Sequence, residues 1–314
     1  MTYRQDEVIE AVDYNSFRTT LLDVWDVGNG MLGYGQIDTG GASAIPTVAV
    51  GADVLSTEWE ALRFAAQTAS DHQGSTTTFP PASELLVDEV IEAHEADDGN
   101  IYDFDGSLAT ITTNSLLFDA GSVSVFSNEL VSTRGSSWSV QLEHRFTAIH
   151  PTVDDARYFF NSGGEIRFRG SRSGGSSNDQ NTSWTDILTN MGTIIFNYTE
   201  TTGGGSGWTM STIGYYDLTT SWQRIATGID PAGGAYASNE ATIDARVLDG
   251  PTGPNGDVGR QLEFRVRYTD NHTNGFFDSV NGTIESRIDY QKATSPLTIQ
   301  DPVFASSIVL TDGS

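Results

Sequence analysis

The chain has 314 residues, with 42 acidic and 16 basic side chains, a formal charge of -26 and no cysteine. That excludes disulfides, thiolate nucleophiles, Cys-ligated zinc and iron–sulfur clusters. It also argues against nucleic acid as a partner, because so acidic a chain repels a phosphate backbone. No apolar run approaches the length of a membrane-spanning helix, so no membrane partner is expected, and the opening MTYRQDEVIEAVDYNSF lacks the basic start and apolar stretch of a secretory signal.

The acids are 27 Asp and 15 Glu; the bases are 15 Arg and one lysine, Lys292. Excess Asp with almost no Lys is the balance of a chain that works in strong salt, where screening removes self-repulsion. The chain is rich in Gly, Ser and Thr, yet 15 Phe, 11 Tyr and 6 Trp supply material for a core. This composition suits a β-rich surface protein better than a cytosolic metabolic enzyme.

The N-terminal third reads as helical. Asp13 is placed to cap a segment with Phe17, Leu21, Val24 and Trp25 at spacings of three and four, ending in GNGMLGYGQ. A second helix starts near Ser56, with Thr57 and Glu60 in a capping-box pattern and Trp59, Leu62, Ala66 and Ala69 on one face. A third starts at Ser83, with Leu86, Val90 and Ile91 on one side. The stretch 101–135 fits either a further helix around Leu108–Phe118 or the first short strands.

From Ser136 the period becomes two. SWSVQLEHRFTAIH places Trp138, Val140, Leu142, Phe146 and Ala148 on one face, shared by His144. NEATIDARVLD alternates through Ala241, Ile243, Ala245 and Val247, and RQLEFRVRY through Leu262, Phe264, Val266 and Tyr268 with Glu263, Arg265 and Arg267 outward. TIESRIDYQ alternates through Ile284, Ile288 and Tyr290. Two helices interrupt this pattern. One is capped by Thr152 and stopped by Gly163. The other carries Trp184, Ile187, Leu188 and Met191 on one face and ends at Gly192. The expected class is α+β: a small, mostly helical docking module over residues 1–135, then an antiparallel β-sandwich with two short helical insertions over residues 136–314.

The run DDARYFFNSGGEIRFRGSRSGGSSNDQNTSWTDILTNMGTIIF resembles a segment of structural proteins of tailed bacterial and archaeal viruses, with an Ala-Arg-Tyr-Phe-Phe-Asn-Ser-Gly-Gly turn, an Ile-Arg-Phe strand, a Ser/Gly loop and a Trp-containing helix. The pieces YNSF, GYGQ and STEWEALRFAAQTASDHQG resemble the start of such proteins. In pieces, the resemblance covers about half the chain. It implies a virion component of the tail, baseplate or fibres, with copies of itself and other virion proteins as partners, and it carries over no catalytic residue. The scarcity of Lys departs from marine bacteriophage members of this group and suits a halophilic host.

Candidate chemistry is sparse. GNGMLG at 28–33 matches a dinucleotide fingerprint in letters, but a helix precedes it where a strand is required, so a helix-ending loop is the better reading. No Gly-x-Ser-x-Gly, Walker A or His-Glu-x-x-His pattern occurs, and the histidines show no ligand spacing. Asp97, Asp98, Asn100, Asp103 and Asp105, ending in Gly106, offer oxygen ligands for a structural Ca²⁺ or form a solvated acidic loop; Asp249, Asn255 and Asp257 are a weaker version. No other cofactor is expected. Arg167, Arg169 and Arg172 are the densest cations, suited either to an acidic neighbour or anionic glycan, or to cross-strand pairing. Trp208, Tyr215, Tyr216 and Trp222, near the Gly/Ser loops 170–178 and 202–207, offer faces for host-surface sugar rings or fill the core or an interface. The sequons at Asn181, Asn197, Asn271 and Asn281 read as chance in a Thr-rich chain. The leading expectation is a non-enzymatic building block of a tailed particle, most simply in the tail. A capsid decoration or turret protein, a host carbohydrate-binding module and a glycan-cleaving tail enzyme are the alternatives.

Overall fold

The computed structural model describes residues 10–25, 45–73, 104–115, 128–250, 258–272, 279–292 and 299–311. Three helices, α1 (Ala11–Trp25), α2 (Ser56–His72) and α3 (Phe104–Asn114), share one hydrophobic cluster. Phe17, Trp59 and Phe104 meet in its middle, with ring centroids 4.9 to 6.4 Å apart. The face anticipated on α2 is the buried one: Trp59, Leu62, Ala66 and Ala69 all lie in this cluster.

Side chains tie the segment 45–58 to α1. The Tyr14 hydroxyl donates to the carbonyls of Pro46 and Glu58, Asn15 exchanges two hydrogen bonds with the backbone of Val48, and Arg18 donates to the Ile45 carbonyl. Two capping expectations are corrected. Asp13 stands within the first turn of α1, whose hydrogen bonds start from Glu10. At α2 the residue before the helix is Leu55, and Glu58 accepts its N–H at 2.8 Å, so Glu58 takes the part expected of Glu60. The helix expected from Ser83 and the GNGMLG run lie outside the described residues.

The rest is an antiparallel sandwich. Its strands are β1 (Leu130–Arg134), β2 (Gln141–Ile149), β3 (Glu165–Ser173), β4 (Ile194–Phe196), β5 (Thr201–Gly203), β6 (Trp208–Met210), β7 (Gln223–Ile229), β8 (Glu240–Val247), β9 (Gln261–Thr269), β10 (Thr283–Gln291) and β11 (Val303–Thr311). One sheet has the order β1-β10-β3-β4-β5 and the other β11-β2-β9-β8-β7-β6. The stretch 101–135 therefore holds both elements weighed for it, a helix and then a first strand, and β1 pairs with β10.

Period-two alternation fixes which side of each strand is buried. Leu262, Phe264, Val266 and Tyr268 of β9 face inward, as do Ala241, Ile243, Ala245 and Val247 of β8 and Ile284, Ile288 and Tyr290 of β10. Phe264 meets Phe168 of β3 and Phe196 of β4 at 5.0 and 5.4 Å, closing the space between the sheets. Val140 is the exception to the expected face: it precedes β2 and is exposed.

Helix α4 (Val153–Asn161) starts as expected, with the Thr152 hydroxyl accepting the Asp155 N–H at 3.0 Å. It ends in a turn where Gly163 takes φ +85° and a Cβ on Gly164 would lie 2.4 Å from the Phe159 carbonyl. Helix α5 (Asp179–Met191) is capped by Asn178 and turns its Trp184, Ile187, Leu188 and Met191 into the same core as both sheets. Each such fully buried side chain contributes about 1.5–3 kcal/mol through removal from water. Among the described residues, no helix is long and apolar enough to cross a membrane.

Candidate functional site

The arginines singled out on β3 do not share a face. Arg167 and Arg169 point away from the core, while Arg172, three residues beyond Arg169, falls on the other side of the strand. Arg167 is 3% exposed and donates to Asp289 at 2.9 Å and to Gln291 at 2.8 Å, both on the neighbouring β10. Burial pushes the Asp289 carboxyl up, against the pull of Arg167. Arg169 faces Glu129 at 3.6 Å. Arg172 donates to the Thr185 hydroxyl of α5 and to the Asn281 carbonyl, holding helix and sheet together. These three side chains therefore serve cross-strand and strand-to-helix pairing inside the chain.

Three of the four aromatic candidates belong to the core or pack on it. Tyr215 is fully buried, stacks on Phe160 at 4.3 Å and donates its hydroxyl to the Gly259 carbonyl. Tyr216 is half-buried and donates to Asn161. The Trp208 indole N–H donates to the Ile187 carbonyl at 2.9 Å, and its ring lies over Gly228 of β7. Trp222 alone stands apart from the core. Its ring is held by the guanidinium groups of Arg246 and Arg265, at 4.4 and 4.3 Å.

Those two arginines belong to a charged network on the outer face of the six-stranded sheet, which the sequence reading did not assemble. Asp244 is its hub. It accepts from Arg224 at 2.6 Å, Arg265 at 2.8 Å and Arg267 at 2.5 Å. Burial alone raises the Asp244 carboxyl, and the three arginine hydrogen bonds outweigh it, so its pKa lies below the usual value. Arg246 pairs with Glu263 at 2.5 Å, and Arg145 with Glu143. The sequence shows charges on alternating residues of β8 and β9, and the pairing of these two strands makes the charges meet.

Two histidines are also buried. His144 Nδ1 lies 2.8 Å from the Ser286 hydroxyl, which also meets the Tyr268 hydroxyl at 2.6 Å; the trio bridges the two sheets with no solvent access. Burial, and then Arg134, pulls His144 down to about 4. His150 packs against Phe159 and Phe160, and burial pulls it down to about 3.

The acidic run fares differently. Asp97, Asp98, Asp103 and the side chain of Asp105 lie outside the described residues, as do Asn255 and Asp257. Asp249 accepts the backbone N–H groups of Arg260 and Gln261. Among the described residues, no three His, Asp or Glu side chains converge as metal ligands. The sequon amides also hold local structure. Asn181 and Asn281 bond to each other, Asn197 accepts from Thr199 and Glu200, and Asn271 donates to the Ser238 carbonyl. No protein-family profile, curated protein or solved structure matches this chain.

Proposed function

We propose that the chain is a non-enzymatic structural building block of a tailed virus particle from a halophilic host, placed in the tail as a fibre, baseplate or host-attachment component. Copies of itself and other virion proteins are its partners, and assembly in the host cytoplasm precedes its place in the particle. The observation that carries the reading is the resemblance-bearing run, residues 154–196. It builds the middle of the sandwich, supplying α4, β3, α5 and β4 in succession. Its arginines Arg167 and Arg172 are turned to holding that body together. A body whose arginines are paired across its strands and helices is stiffened by those pairs, and rigidity suits repeated packing in a symmetric assembly.

A capsid decoration protein has the same physical needs and stays the runner-up within this class. The host-glycan reading narrows to Trp222, the one candidate aromatic outside the core, with Arg246 and Arg265 against its ring. The test is peptide mass spectrometry of particles purified from the source on a salt gradient. The proposal expects this chain among the abundant particle proteins. Recovery from host cells with none in particles would overturn it and promote the host-surface module.

A further inference from the structure

We infer that β11 is a self-pairing edge, by which two copies of this chain join β11 to β11 antiparallel across a two-fold axis. The inference deepens the building-block reading and rests on it for its setting. A sandwich of two open sheets has four edge strands, and each offers unpaired backbone groups to another chain. Here they are β1 and β5 in one sheet, β11 and β6 in the other.

Three of the four are blunted by shortness: β5 and β6 have three residues each and β1 has five. The β5 and β6 edges are also stitched to each other through residues 211–213, since the Thr201 N–H donates to the Ser211 carbonyl and the Thr201 hydroxyl to the Ile213 carbonyl. The fourth edge is different. Strand β11 has nine residues and runs paired along its whole length with β2, from Val303 opposite Ile149 to Thr311 opposite Gln141. Among the described residues, no strand hydrogen-bonds to its other side, and β1 of the other sheet lies near β11 without pairing to it.

The usual protections of an edge are lysine, proline, a bulge or an inward charge. The sequence VFASSIVLT contains none of the first two and no charge at all, and its register with β2 is unbroken. Among the described residues, every other strand of five or more residues carries at least one charged side chain. Val303 is 66% exposed, Ile308 40% and Val309 38%. The strand is nonetheless firmly placed. Phe304 packs on Tyr290 at 5.7 Å, and Lys292 bonds to the Ile299 carbonyl and pairs with Asp301 just before the strand.

Charge selects the occupant. Two chains of -26 repel over most of their surfaces, so contact between copies is cheapest where neither brings a charge. An identical strand brings the same uncharged row. The apolar pattern also reads alike from both ends. Antiparallel pairing centred on Ser306 sets Val303 opposite Val309 and Phe304 opposite Ile308, apolar against apolar, with serines in the middle. That is the self-complementarity an isologous contact requires. Pairing would fuse two six-stranded sheets into one continuous sheet.

The test is the solution mass of the full chain in molar salt, by light scattering behind size exclusion. Wild type is expected at twice the chain mass of 33.8 kDa. Ser307→Lys, opposite Ala305 in this register, sets two ammonium groups diagonal to each other across the axis, and halves the mass. Ser307→Glu alone also halves it. An equal mixture of the two variants restores the dimer, which a merely misfolded variant cannot do. A wild type that stays monomeric up to high concentration overturns the inference, and so does a dimer that Ser307→Lys leaves intact. Neither result bears on whether the chain is found in particles, so the two readings fail separately.

Discussion

Arg167 shows how much of this molecule's polar chemistry is internal. Its guanidinium and the Asp289 carboxylate are 3% and 1% exposed, so each would be an uncompensated buried charge without the other. Arg167→Ala is expected to cost about 3–5 kcal/mol in denaturant unfolding, whereas replacing Arg167 and Asp289 together by Leu costs far less. Similar losses in the single and double variants would contradict this. His150 makes a pH prediction. Its ring is buried without a hydrogen-bond partner and its pKa is lowered from 6.5 to about 3. A depressed imidazole pKa means that the unfolded chain binds the extra proton first. Its contribution to stability is complete above pH 6.5 and falls as pH drops through the window down to about 3. His144 acts with the same sign over a narrower window, down to about 4. His150→Phe should flatten the pH dependence of the melting temperature in that window, leaving the part due to His144. An unchanged slope would mean that His150 does not titrate on unfolding.

At the scale of elements, β6 and β7 meet where Trp208 lies opposite Gly228. A Cβ on Gly228 would fall 2.3 Å from the Trp208 ring, and that ring is tethered to α5 through its bond to Ile187. Gly228→Ala is therefore expected to cost about 1–3 kcal/mol by overpacking. Thermal melts would show it, and a neutral result would mean that the ring shifts freely. The elements legible in the sequence were those with a cap and a long period. Thr152 marks the start of α4 and Gly192 the end of α5, and β8, β9 and β10 alternate for eight or nine residues each. Strands of three residues, β4 to β6, are too short to show a period. β11 is long enough, but its exposed side is as apolar as its inner one, so no polar alternation marks it. The same limit applies to the candidate site. Arg172 looked like the continuation of Arg167 and Arg169, yet an odd spacing of three reverses the face. The Asp244 hub depends on which strands become neighbours, and that is a property of the topology.

For the whole molecule, the sign of the charge and the way it is carried matter together. The chain bears -26 with one lysine, and many of its arginines are occupied by specific acids, such as Asp244, Asp289, Glu263 and Glu129. Cations committed in pairs leave the excess carboxylates to repel one another, and salt screens that repulsion over a Debye length of about 3 Å at 1 M against about 10 Å at 0.1 M. The melting temperature is expected to rise markedly between low and molar salt; an equal melting temperature in both would remove the halophile argument. The two sheets, the paired arginines and the uncharged β11 edge are consistent with the proposed part packed beside copies of itself. Immunogold labelling of intact particles from the source tests that claim most directly. The account predicts label at the tail tip of the particles. Label over the capsid would move the protein to the head, and label on host cells with none on particles would contradict the account.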